Sequence, residues 1–212
     1  MAAESVTGPS PAAAPKRRMR APARRAAILR SAARCFAAAG FDGTSMDDVA
    51  LAAGVSKPVV YDHFPSKEAL YLALLTDLSD RLFAGSRAAI APGQPNAQGI
   101  AAAVAVLVRF VAGAPDEAGL LFQPPPGEGP LASAARIIQQ RATAGIAEML
   151  APRAPGAAPW RYLLAAEFMK SGLHAASLWW RDHPEIEAER LTEDLTTLVR
   201  SGLAGAFGWR ED

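Results

Sequence analysis

At 212 residues, half of them hydrophobic, the chain is long enough to bury one large core or two small ones. A single cysteine, Cys35, excludes an internal disulfide and a cysteine-rich metal site, and points to a reducing cytoplasm. The net charge of +1 conceals a split: residues 1–90 carry 12 Lys/Arg against 8 Asp/Glu, residues 91–212 carry 10 against 13, and within residues 1–34 eight basic residues meet only Glu4. That split suggests a polyanionic partner for the N-terminal end, with a solubilising tail as the plainer alternative.

Residues 1–21 are rich in Ala, Pro, Ser and Gly and then basic through Lys16, Arg17, Arg18 and Arg20. Such a composition buries no core and reads as a disordered basic tail. It has no apolar run after its basic cluster, so it does not read as a secretory signal. From Arg24 to Ala39 the residues Ile28, Ala32, Cys35, Phe36 and Ala39 recur at helical spacing, with Pro22 in the opening turn and Gly40 as a stop. Cys35 on that stripe reads as a small buried hydrophobe. Ser45 with Asp48 three residues on predicts a capped helix over 46–53, closed by Gly54. Ser56 is placed to cap a third helix, with Pro58 in its first turn and Pro65 beyond its end at about Phe64. Ser66 caps a fourth helix running to about Arg87.

Further helices are predicted over about 98–112, 116–122, 131–150, 160–181 and 184–207, with the Pro/Gly-rich stretch 124–130 as an evident loop. The most apolar run, Ile100 to Phe110, falls short of a bilayer span and contains Arg109. No alternating strand pattern and no internal repeat is found, so the fold class is all-α.

Two short helices joined by a tight glycine turn, after a longer helix, make a helix-turn-helix at about residues 45–64. At about 100° per residue, Val60 and Phe64 share one face of the third helix and pack inward, with Val55 at the turn. Lys57 sits at the tip, and Pro58 and Asp62 lie opposite, flanked by Val59 and Tyr61. A short helix with such an outward face fits a major groove.

From Arg25 to Leu75 the chain resembles the DNA-binding module of the TetR family of repressors. The resemblance rests on residues 35–41 (CFAAAGF), 44–50 (TSMDDVA), 53–57 (AGVSK), 60–64 (VYDHF) and 66–70 (SKEAL), in order and spacing. It implies residues 22–82 as a DNA-binding domain and residues 83–212 as a larger helical domain for ligand binding and dimerisation. It implies phosphate contacts for Thr44 and Ser45, base contacts for Lys57, Pro58 and Val59, backbone or base-edge contacts for Tyr61 and His63, and a further phosphate on Lys67. Each has a simpler role open to it: Thr44 and Ser45 as caps, Tyr61 as an amphipathic edge, His63 as a partner of the helix end. The outward carboxylate of Asp62 repels phosphate and is left out of the set. Arg17, Arg18, Arg20 and Arg24 are placed to act as a basic arm.

In the C-terminal part the resemblance implies a ligand cavity. Candidate lining residues are Val104, Leu107, Phe110, Phe122, Ile137, Met149 and Phe168, an ordinary filled core being the alternative for each. Arg109, Gln139, Glu167 and His174 are polar residues able to orient a ligand. The stripes Leu164, Phe168, Gly172, Ala175, Trp179 and Leu191, Leu195, Leu198, Gly202, Ala206 suggest a four-helix dimer interface. A C2 dimer would set two recognition helices about 34–36 Å apart, matching a pseudo-palindromic operator. The expected partners are double-stranded operator DNA, a small-molecule effector and a second copy, with no cofactor, no metal and no membrane, and the expected setting is the cytoplasm. His63, His174 and His183 show no metal-ligand spacing, which argues against an enzyme. A scaffold whose DNA contact is vestigial is the other alternative.

Overall fold

The computed structural model describes residues 21–91, 93–94, 96–123 and 128–208. Residues 1–20 of the predicted tail, including Arg17, Arg18 and Arg20, lie outside the described residues, while Ala21, placed in the tail, opens α1.

The described residues form nine α-helices: α1 (Ala21–Gly43), α2 (Met46–Ala53), α3 (Lys57–His63), α4 (Lys67–Ala89), α5 (Asn96–Gly113), α6 (Pro115–Phe122), α7 (Pro130–Leu150), α8 (Pro159–Arg181) and α9 (Ala188–Phe207). A short 3₁₀ turn, Ala151–Arg153, follows α7. The expected glycine stop in α1 is a break in the helix: Gly40 has φ 71° and ψ 176°, a region open essentially to glycine alone, and it redirects the chain before Phe41. Gly54 closes α2 in the left-handed conformation, donating its N–H to the Ala50 and Leu51 carbonyls.

Two expectations about helix starts are corrected. Ser56 precedes α3 but its side chain makes no cap; Pro58 offers no N–H, and Val59 N–H is taken by the Ser56 carbonyl. The last helix begins at Ala188 rather than Pro184. Residues 184–187 form a turn in which the Trp180 indole N–H donates to the Ile186 carbonyl at 2.8 Å, drawing that carbonyl away from helical pairing.

The main core is continuous from α1 to α7. Ile28, Ala32 and Phe36 of α1 meet Val49, Val60 and Phe64, then Leu70, Leu74 and Leu78 of α4, and then Leu107, Leu121 and Ile138. Phe36, Phe41 and Tyr71 pack edge-to-face and stacked at centroid distances of 5.0–5.9 Å. Residue 82 falls inside α4, which is shared by both halves of the molecule. Helix α5 is long and apolar enough to cross a membrane by length and composition. It packs instead against α4, α6 and α9, and leaves Arg109 exposed rather than being buried on all sides. Arg81 of α4 pairs with Asp77 one turn earlier on the same helix (3.0 Å) and ties α4 to α6 through Glu117 (2.8 Å).

Candidate functional site

The start of α2 is fixed by a reciprocal capping box. Ser45 Oγ accepts from Asp48 N–H at 3.1 Å, while Asp48 Oδ2 accepts from Ser45 N–H at 2.9 Å and from its hydroxyl at 2.6 Å. Those hydrogen bonds hold the Asp48 carboxyl below the usual range. Ser45 remains on the surface. On α3 the faces divide as the spacing predicts: Val60 is fully buried and Phe64 is 2 % exposed, while Lys57, Pro58 and Tyr61 face outward. Val59 and His63 are half-buried at the edges of that face. Lys57 Nζ donates to Asp47 Oδ2 at 2.8 Å, and this pair raises the Lys57 pKa.

The side chains of Thr44 and Lys67 are occupied otherwise than the resemblance implied. Thr44 is buried, and its hydroxyl is shared between the Cys35 carbonyl (3.0 Å) and the Gly40 carbonyl (2.8 Å), where it braces the α1 break. Lys67 Nζ donates to the Phe41 carbonyl at 2.8 Å and lies 4.5 Å from the Phe41 ring centroid. It caps the end of α1, while the Thr44 hydroxyl is spent on the two α1 carbonyls. Cys35 packs on the core, and burial raises its pKa, which disfavours a thiolate.

A cavity of about 150 Å³ lies between α4, α5, α7, α8 and α9. Along α7 its wall follows Gln139, Ala142, Ile146, Met149 and Leu150, a span of about 16 Å at helical rise, and Arg153 stands just past that end. Val104 and Leu107 of α5 and Phe83 of α4 complete an almost wholly apolar lining. The Phe83 ring lies so close to α7 that a Cβ on Gly145 would fall 2.5 Å from its Cζ. Of the sequence candidates, Val104, Leu107 and Met149 line the cavity, while Phe110 and Phe122 pack on one another beside it at 6.3 Å. Ile137 and Phe168 are corrected: they are 53 % and 79 % exposed on outer helix faces. An apolar residue on a helix can face core or solvent, and the sequence alone did not say which.

Gln139 and His174 reach the cavity; Arg109 does not. Gln139 Nε2 donates to the Leu121 carbonyl at 2.7 Å, joining α7 to α6. His174 stacks on Phe122 at 3.9 Å, and burial, aided by the Lys170 charge, pushes its pKa down to about 4, so the ring is neutral. Sequence reasoning missed Lys170, which is buried on the same wall. Its ammonium donates to Glu167 Oε2 (2.9 Å), Thr143 Oγ1 (2.8 Å) and the Gln139 carbonyl (3.2 Å). The Thr143 hydroxyl and Lys170 together hold the Glu167 carboxyl below its ordinary range. Sequence reasoning also missed Arg153. The available signal was the Glu167–Lys170 spacing, but such pairs on helices are usually solvated. Among the described residues, no group of three or more His, Cys, Asp or Glu is arranged to hold a metal ion.

The outer face of α8 is apolar. Leu164, Phe168 and Trp179 of the expected stripe are exposed together with Trp160 and Leu163, and Gly172 and Ala175 lie between them. On α9 Leu198, Gly202 and Ala206 are exposed, but Leu191 and Leu195 are corrected: they are buried against Val104 and Val108 of α5. The α9 stripe therefore divides, its first two turns serving the subunit's own core.

These features define a helix-turn-helix regulator with a separate cavity. A family profile described as "Bacterial regulatory proteins, tetR family" matches residues 28–74, and one described as "Tetracyclin repressor-like, C-terminal domain" matches residues 95–203. The chain belongs to the TetR family of bacterial transcription regulators, a family of non-enzymatic proteins. It is similar to the transcriptional activator FasR of Mycolicibacterium smegmatis, 28 % identical over 182 residues, covering 85 % of this chain and 83 % of FasR. It is also similar to the transcriptional regulator RutR of Escherichia coli, 45 % identical over 65 residues, which cover 31 % of each chain. Its fold matches that of Bacillus subtilis FadR solved in complex with stearoyl-CoA, with a TM-score of 0.71 at 16 % identity, covering 84 % of this chain and 98 % of that one.

Proposed function

We propose that the chain works as a symmetric dimer that grips a pseudo-palindromic operator with two copies of α3 and releases it when a small apolar or amphipathic molecule fills the cavity. The observation that carries the DNA half is the division of α3, with Val60 and Phe64 in the core and Lys57, Pro58 and Tyr61 outside. The outward group, with Val59, His63 and Ser45 at its edges, is the reading surface. Lys donates to guanine acceptors, and Pro58 and Val59 offer apolar contact to a thymine methyl. The exposed apolar face of α8 and the end of α9 supports the dimer, because patches of this kind mark association surfaces. The working division is residues 22–82 for DNA and 83–212 for ligand and dimer, with α4 coupling them. Operator binding places the protein on the chromosome, in the bacterial cytoplasm.

The ligand acts by population shift: it must prefer the conformation whose recognition helices are badly spaced for DNA. We take the chain to be a repressor. The test is fluorescence anisotropy of the purified protein on duplexes from upstream of its own gene, at several salt concentrations. Sequence-selective, salt-dependent binding by a dimer is expected; indifference to every duplex, or a monomer by light scattering at micromolar concentration, overturns the reading. A reporter whose expression rises when the gene is deleted supports repression, and one that falls supports activation, the sign carried by the name of FasR.

A further inference from the structure

The apolar cavity meets a second, polar groove at Arg153, which lines both. The groove lies where the start of α5, the turn after α7, the start of α8 and the end of α9 converge, and its described lining includes Arg153, Arg161 and Asn96 but no acidic residue. Asn96 is the first residue of α5, an 18-residue helix, so its early N–H groups and dipole add positive potential there.

The two ends of the cavity differ in what they have left to offer. At the Gln139 end, the Lys170 ammonium already has three acceptors within reach for its three donors, and His174 is neutral. An anion there would have to break a satisfied buried network. At the other end, Arg153 has no hydrogen-bond or ion-pair partner among the described residues. Arg161 uses one guanidinium nitrogen on the Ala206 carbonyl and lies 5.6 Å from the Phe207 ring centroid, which leaves other donors available.

Resting on the reading of the cavity as the effector site, we infer that the effector is a linear amphiphile: an alkyl or acyl chain lies along α7 inside the cavity, and its anionic head is held in the groove by Arg153 and Arg161. A wall about 16 Å long at helical rise and almost wholly apolar suits an extended chain. The guanidinium forks take a carboxylate or a phosphate, since both present paired oxygens to paired N–H donors. The anionic oxygen group is the shared chemistry of a free fatty acid and of a phosphorylated acyl carrier, and the two probes below separate them.

The test is isothermal titration of the full chain with dodecanoate, dodecyl phosphate and dodecanol, each below its micelle concentration. The anions are expected to bind at least about tenfold more tightly than the alcohol, the increment of one charge-assisted hydrogen bond. A preference for dodecyl phosphate over dodecanoate selects a phosphorylated carrier, and the reverse selects the free acid. Arg153→Gln and Arg161→Gln are expected to erase the preference, bringing the affinity for the anions down to that for dodecanol, and a preference that survives both substitutions overturns the head site. Ala142→Phe, which fills the cavity, is expected to abolish binding of all three.

Dodecanol binding as tightly as the anions overturns the head site and leaves the cavity as an effector site. Anion binding that survives Ala142→Phe places the anions elsewhere and overturns the inference. If none of the three binds, the linear-ligand inference is overturned, and the effector reading is then judged separately by whether Ala142→Phe alters release of operator DNA by cell extract.

Discussion

The two ends of the molecule use the same element, the amphipathic helix, to opposite ends. Around α1–α3 every inward side chain has a partner: Ile28, Ala32, Val49 and Val60 show no exposure, and three aromatic rings close the space above them. Around α5 and α7–α9 the helices stand apart over a cavity, and a satisfied polar cluster sits on its wall. A reader of DNA must hold a few side chains at fixed spacing, which close packing does. A sensor must have states that differ little in energy, which incomplete packing permits. The two ends thus differ in packing: one is filled to the last ring, and the other encloses a void.

The largest test of that difference is truncation. Phe36→Ala removes a fully packed ring and is expected to cost roughly 3–5 kcal/mol in denaturant unfolding. Met149→Ala removes a side chain that already borders empty space, so its cost should fall below the usual range of about 2–5 kcal/mol for such a change. Equal costs would break the comparison.

Next in size is the pH response of the cavity wall. His174 titrates near 6.5 when unfolded and at about 4 in the fold, so between those values the unfolded chain binds more protons. Stability therefore should fall as pH drops from 6.5 toward 4, by up to about 3 kcal/mol, and be unaffected by this group at higher pH. Burial drives the shift, the Lys170 charge adds to it and Glu167 opposes it. His174→Gln should flatten the curve in that window, as read by urea unfolding at a series of pH values. A slope unchanged by the substitution would place the titrating group elsewhere.

What could be read from the sequence follows the same division. Helix α2 and the start of α4 were legible because their signals are local: Ser45 with Asp48, Gly54, and Ser66, whose hydroxyl accepts from Ala69 N–H. The inward face of α3 was legible because Val60 and Phe64 sit one turn apart, opposite Lys57, Pro58 and Tyr61. The cavity was not, because periodicity assigns a residue to a face without saying whether that face meets core, void or solvent. Phe168 and Ile137 thus fell outside, Leu191 and Leu195 fell inside, and the charged Arg153 and Lys170 passed as surface. Pro184 carried a helix-start signal, but the Trp180 indole, six residues before Ile186, takes the Ile186 carbonyl within the turn.

A smaller effect is expected where the two regimes touch. Gly145→Ala sets a methyl against the Phe83 ring, which must move, and Phe83 is part of the cavity wall. The stability cost should be about 1–3 kcal/mol, the range for overpacking, or less if the ring swings into the void. Swinging inward would narrow the cavity, so thermal melting with and without dodecanoate separates the two responses. A cost within the stated range with ligand binding intact would mean the wall is stiffer than the void suggests.

The smallest effect on stability is expected at the reading surface itself. Lys57 and Asp47 are both well exposed, and solvent screening leaves pairs of that kind little weight in stability. Lys57→Ala should therefore leave the melting curve nearly unchanged while weakening operator binding. If the ammonium meets a phosphate, binding weakens evenly across sequences and the salt slope falls by about one; if it meets guanine, specificity relaxes at one position by about 1–3 kcal/mol. Asp47→Asn acts in the opposite sense, since it frees the ammonium from its partner and removes a charge that repels DNA. Operator affinity should rise in that variant. If Lys57→Ala and Asp47→Asn both left affinity where it was, α3 would be a packed helix that reads nothing, and the stiffness of its surroundings would need another explanation.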